Sequence, residues 1–128
     1  MHLRSYSKID IALDTFPYPG GTTSLEAMWM GVPVITLKGN DFLSRVGESI
    51  VKNLVGTDWV ARDQEAYVSI AKELGSDLER LSRLRKILRS QIANSSAFDG
   101  RIFARDFENT ITEMWRLKRN KDSLLTKL

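Results

Sequence analysis

IDIALDTFPYPGGTTSLEAMWMGVPVIT, residues 9–36, is the stretch that decides the fold. Ile9, Ile11 and Leu13 alternate with Asp10, Ala12 and Asp14, which is the period of a strand with Ile9, Ile11 and Leu13 as its apolar face. Pro17, Pro19, Gly20 and Gly21 then make a tight loop. Thr22 and Thr23 are suited to cap a helix, and Leu25, Met28 and Trp29 share one helical face before Gly31 and Pro33 end it. Val32–Thr36, a β-branched run, reads as a second, buried strand. Strand, glycine loop, helix and strand make a βαβ unit. Its right-handed crossover should bring the helix N-terminus to the carboxyl edge of a parallel sheet.

Free amides and the dipole at such a helix start favour an anion, and glycines let a phosphate approach the backbone. Gly20, Gly21, Thr22 and Thr23 are therefore a candidate diphosphate seat. From spacing alone PGGTT reads more readily as a turn and cap, with Thr23 and Glu26 forming a capping box, because glycine loops before helices are common. The loop is neither GxGxxG nor a Walker A motif, so spacing alone leaves both readings open.

At 128 residues the chain can bury roughly two-thirds of its unfolded surface without staples. It has no cysteine, which removes disulfides, zinc–thiolate sites and a cysteine nucleophile and suits a cytoplasmic setting. No apolar run approaches the roughly 20 residues of a membrane span, and no signal-peptide core opens the chain. Residues 1–62 balance six Lys/Arg with six Asp/Glu, so the excess of +3 lies in the second half. So small an excess argues for no nucleic-acid partner.

Residues 1–8 have no apolar core of their own, and His2 is the only histidine. A lone histidine cannot by itself hold a metal. After the turn at Lys38–Asp41, Phe42, Val46, Ile50 and Leu54 return to helical spacing. Ser44 and Arg45 open that helix on the same sheet edge as the glycine loop, so Arg45 is a further candidate to face a ligand, with a surface ion pair as the alternative. Residues 57–61, TDWVA, read as a third strand, followed by a helix capped by Asp63 and stopped at Gly75. Ser76 and Glu79 suggest a capping box for a basic helix whose apolar stripe is Leu78, Leu81, Leu84, Leu88 and Ile92. That helix suits either packing against the domain or docking on a partner or membrane, and packing is favoured. A polar break at residues 94–100 precedes a last helix expected to bury Phe103, Phe107, Ile111, Met114 and Trp115, with a frayed tail over about residues 118–128. About three parallel strands is half the usual width of a doubly wound sheet. A fragment is inferred, with one sheet edge left raw.

The run HLRSYSKIDIALDTFPYPGGTTSLEAMWMGVPVITLKGNDFLSRVGESI, with the DLERL segment and the Phe/Trp-bearing last helix, resembles the C-terminal half of the catalytic region in TPR-containing, SPINDLY-like O-linked N-acetylglucosamine transferases. The resemblance covers nearly all of the chain. It implies an α/β fold: residues 1–128 as the C-terminal portion of a partial Rossmann-like GT-B domain, with a helix-rich second half. It further implies a UDP-sugar donor, a protein acceptor bound through an N-terminal domain and TPR array not in this sequence, a cytoplasmic setting, and no metal, cofactor, nucleic acid or membrane.

Residue by residue, the resemblance places the donor diphosphate on Gly21, Thr22 and Thr23, with glycine at 21 where the animal enzymes have histidine. It places the ribose hydroxyls on Glu26 and the uracil base on His2. The family's diphosphate lysine would fall before residue 1. The implied reaction is attack of an acceptor hydroxyl on the anomeric carbon as UDP leaves, with donors at the helix start stabilising the diphosphate. No catalytic base is visible, and the isolated chain is expected to be inactive. The alternative is a non-catalytic nucleotide-binding or protein-interaction module.

Overall fold

A computed structural model describes the backbone of residues 2–125 and the side chains of residues 3–120. A 3-10 segment, His2–Lys8, leads into β1 (Ala12–Leu13), α1 (Thr22–Trp29), β2 (Val34–Leu37), a 3-10 turn at Leu43–Arg45 and α2 (Val46–Val55). Then come β3 (Val60–Ala61), α3 (Gln64–Ser76), α4 (Leu78–Ala93), a 3-10 turn at Ser96–Phe98 and α5 (Gly100–Leu125). The chain divides between Ser95 and Ser96 into two compact units.

The first unit is an α/β layer structure on a three-stranded parallel sheet of order β1-β2-β3. Ala12 and Leu13 pair with Val34 and Ile35, and Thr36 and Leu37 pair with Val60 and Ala61. Val34, Ile35 and Thr36 are buried, as expected of a central strand covered by helices. α3 lies on β2 and β3, while α4 packs against α1, α2 and α3. Met28, Val32, Ile35, Val51, Leu74, Leu88 and Ile92 are among the fully buried side chains at its centre.

The phase of β1 departs from the alternation. Leu13 is 57% exposed and Ile9 is exposed, whereas Asp14 retains only 7% of its surface. The ladder also starts late. The Arg85 guanidinium of α4 takes the Tyr6 and Ile9 carbonyls, which holds the preceding chain as a 3-10 segment instead of an extended strand.

Gly31 ends α1 with φ +83°, and a side chain there would sit 2.7 Å from the Arg85 carbonyl. Glycine thus serves both the left-handed turn and the close approach of α4. The four arginines of the basic helix each find a partner. Arg80 meets Glu73 at 3.1 Å, Arg83 meets Glu79 at 3.5 Å, and Arg89 lies 5.1 Å above the Trp29 ring. Its Leu81, Leu88 and Ile92 are buried, so it packs on the domain.

Two caps differ from expectation. α3 runs through Gly75 to Ser76, whose hydroxyl donates back to the Glu73 carbonyl at 2.8 Å. The cap of α4 is Asp77, accepting from the Arg80 amide at 2.8 Å, in place of a Ser76–Glu79 box. An aspartate one residue further on gives a charged acceptor to the helix start.

In the second unit, Asp99 accepts from the Arg101 and Ile102 amides and starts α5. Phe103 and Phe107 stack at 6.2 Å, but they, Ile111, Met114 and Trp115 are exposed, contrary to the expected burial. Among the described residues of its own unit the helix meets the short Ser96–Phe98 turn, which is too small to cover its apolar face. The backbone is helical to Leu125, beyond Leu117.

Candidate functional site

Asp14, at the carboxyl end of β1, organises the glycine loop. Its backbone N–H continues the ladder to the Ile35 carbonyl at 2.9 Å, and its own carbonyl accepts from the Tyr67 hydroxyl at 2.7 Å. Its Oδ1 accepts from the Gly20 amide at 2.6 Å and from the Ser24 hydroxyl at 3.3 Å. Burial, and secondarily the Asp14 charge, push the Tyr67 hydroxyl pKa up, so it stays a donor. Within the loop the Thr15 hydroxyl closes a turn on the Tyr18 carbonyl at 2.6 Å. A cavity of about 190 Å³ is lined in part by Tyr6, Asp14, Thr15, Gly20, Thr23 and Ser24.

The two glycines of the loop differ. A side chain on Gly20 would collide with the Ser24 hydroxyl and come within 2.7 Å of Thr23 Oγ1, whereas Gly21 has open space around it. The Gly20 amide is committed to Asp14. Gly21 is the N-cap of α1, and no side chain caps that helix. The capping box of Thr23 with Glu26 does not form; Thr22 and Thr23 are exposed. α2 likewise starts without a side-chain cap, at Arg45. In contrast α3, α4 and α5 are each capped by an aspartate: Asp63, Asp77 and Asp99. The helices that follow β1 and β2, at the carboxyl edge, are the two whose first amides are left without a side-chain acceptor.

The Tyr6 hydroxyl reaches the first turn of α1, donating to the Thr23 carbonyl at 3.2 Å and to Glu26 Oε2 at 3.5 Å. Burial raises the Tyr6 pKa, and the neighbouring Glu26 carboxylate raises it further. Glu26 therefore sits on α1 one turn beyond the candidate seat, steadied by Tyr6. The side chain of His2 lies outside the described residues, though its backbone belongs to the 3-10 segment that Tyr6 ties to α1.

Arg45 forms the ion pair offered as its alternative, Nε to Glu48 at 3.2 Å, and Lys38 meets the other Glu48 oxygen at 3.2 Å. Burial raises the Glu48 pKa, but the bonds and charges of Lys38 and Arg45 outweigh it and the net shift is downward. Among the described residues no cluster of acidic or histidine side chains has metal-site geometry, and no helix is long and apolar enough to cross a membrane.

Asp14, Ser24, Tyr6 and Tyr67 were not singled out as site residues by sequence. The one local signal was a carboxylate closing an apolar strand just before a glycine loop.

The family model of glycosyl transferase family 41 matches residues 1–107. The chain belongs to this family. Family 41 relatives include the SPINDLY protein of Petunia hybrida, described as a probable UDP-N-acetylglucosamine–peptide N-acetylglucosaminyltransferase, 44% identical over 115 residues. The match covers 90% of this chain and 12% of that protein. The Caenorhabditis elegans UDP-N-acetylglucosamine–peptide N-acetylglucosaminyltransferase is 32% identical over 115 residues, 90% of this chain and 10% of its own length. A mutant of the Thermobaculum terrenum O-GlcNAc transferase superposes with TM-score 0.78 and 46% identity, over 90% of this chain and 22% of that one. The family 41 chain described here thus spans about an eighth or less of these curated relatives. Its sheet with glycine loop and helices is the fold shared with that solved family 41 structure.

Proposed function

We propose that this chain supplies the donor-binding part of a UDP-sugar-dependent glycosyltransferase that transfers N-acetylglucosamine, or a related hexose, to serine or threonine of a protein. The observation that carries the proposal is the uncapped start of α1, with Gly21 in open space and exposed Thr22 and Thr23, set against the aspartate caps of α3, α4 and α5. Family membership and the printed activities of the relatives support it.

In this reading the donor diphosphate lies over Gly21, Thr22 and Thr23. Glu26 accepts from the ribose hydroxyls, which suits a carboxylate set back from the phosphates, and His2 contacts the base. As an acceptor hydroxyl attacks the anomeric carbon, charge grows on the departing diphosphate. Preset amides and threonine hydroxyls stabilise that charge, each worth on the order of 3 kcal/mol when aimed at it. The base and the acceptor site belong to parts of the enzyme outside this segment.

The test is calorimetric titration of the full-length enzyme carrying this segment with UDP, with GDP and ADP alongside, followed by turnover assays of Thr22→Ala and Thr23→Ala. UDP binding is expected, with kcat reduced on the order of 10²–10³-fold in each variant. Neither threonine caps α1, so thermal stability should hardly change. Wild-type turnover in both variants would overturn the proposal.

A further inference from the structure

Two buried oxygens, Asp14 Oδ2 and Thr36 Oγ1, have no hydrogen-bond partner. They lie on neighbouring strands and press on the same backbone position. A side chain on Gly47 would collide with Thr36 Oγ1, come within 2.6 Å of Asp14 Oδ2 and within 3.1 Å of Pro19 Cβ. Gly47, in the first turn of α2, therefore closes over the carboxylate and touches the glycine loop at Pro19. Burying a carboxylate is costly and is offset only by the hydrogen bonds it accepts. The two bonds that Asp14 Oδ1 makes bear on one place, Gly20 before the helix and Ser24 in its first turn, while the Asp14 backbone is held by Ile35 and Tyr67.

We infer that Asp14 is the positioning residue of the diphosphate seat, acting through its Oδ1 acceptor on the Gly20 amide and the Ser24 hydroxyl. This rests on the donor-binding function proposed above. The Gly20 N–H is turned inward to Asp14, and the chain leaves that bond directly into Gly21 and the uncapped amides of α1. Without the acceptor, Gly20 has no anchor to β1, and the direction of the following amides is set only by the helix. Asp14 acts through Gly20 and Ser24 rather than on the phosphates, which its own charge would repel.

Asparagine separates the acceptor from the charge. Its Oδ1 keeps the Gly20 and Ser24 bonds, and its neutral Nδ2 takes the place of the unpartnered Oδ2. The experiment uses the full-length enzyme and UDP as probe, with Asp14→Ala, Asp14→Asn, Ser24→Ala and Thr22→Ala compared by titration, steady-state kinetics and thermal unfolding. Asp14→Ala is expected to weaken UDP and lower kcat/KM by on the order of tenfold to hundredfold, the scale of a misplaced but intact site. Ser24→Ala should lose part of that, and Asp14→Asn should stay within about threefold of wild type on the same scale.

If Asp14→Ala does not fold, the Asp14→Asn and Ser24→Ala pair decides: a folded Asp14→Asn as weak as Thr22→Ala overturns the proposal. UDP binding that Thr22→Ala loses and Asp14→Ala retains overturns it while leaving the donor site standing. A wild-type enzyme that binds no UDP overturns both.

Discussion

Gly20 and Gly21 are chemically identical neighbours with opposite requirements. A side chain on Gly20 meets the buried Ser24 hydroxyl and crowds Asp14 Oδ1 at 3.1 Å, while Gly21 faces open space. Gly20→Ala should therefore break the Ser24–Asp14 contact, lower thermal stability and weaken UDP binding, whereas Gly21→His should fold like the parent. Titration and melting of both variants in the full-length enzyme check this, and an undisturbed Gly20→Ala would contradict it. The glycine loop and helix start of the candidate seat were legible because GGTT is local: four consecutive residues and the turn before them. Asp14 was not, because its burial depends on Gly20, Ser24, Gly47 and Tyr67 arriving from three other segments. Alternation alone put Leu13 on the wrong face for the same reason; a polar network outranked an apolar period at the end of an edge strand.

Among the elements, the join between β2 and α2 is electrostatic. Lys38 follows β2, Arg45 precedes α2, and Glu48 in the first turn of α2 holds both at 3.2 Å with a side chain only 13% exposed. Its pKa is lowered in the fold, so the folded state binds that proton less readily than the unfolded chain. The stabilisation is fully present above the ordinary glutamate value of about 4.3 and is lost as pH falls from there through the lowered folded-state pKa. Urea unfolding should find Glu48→Gln less stable than wild type at pH 7, with the difference shrinking below about pH 4. An equal gap at both pH values would show that the residue acts by packing instead. The same element exposes how far caps can be read from sequence. Asp63 was legible because a helix follows it directly, but Ser76 and Asp77 are adjacent candidates, and the choice turned on Ser76 still belonging to α3.

For the molecule as a whole, the βαβ unit, the three parallel strands and the packed basic helix were legible because each is a local pattern repeated along the chain. The fate of the α5 ladder was not, since spacing says which residues share a face and nothing about what covers it. The same limit applies to chemistry. A transferase needs a base whose pKa lies near neutrality as well as a leaving-group seat. Among the described residues, the groups with a resolved displacement are Tyr6, Tyr67 and Glu48. Both tyrosines move up, the glutamate moves down, and each is already bonded within the fold. All three move away from the range a base requires. The 128-residue chain, which spans 12% of its Petunia hybrida relative, should on its own release no UDP from UDP-N-acetylglucosamine in the presence of an acceptor peptide, even at concentrations where UDP binds it. Coupled detection of UDP checks this, and release above the enzyme-free rate that Thr22→Ala abolishes would mean that a base lies within the segment after all.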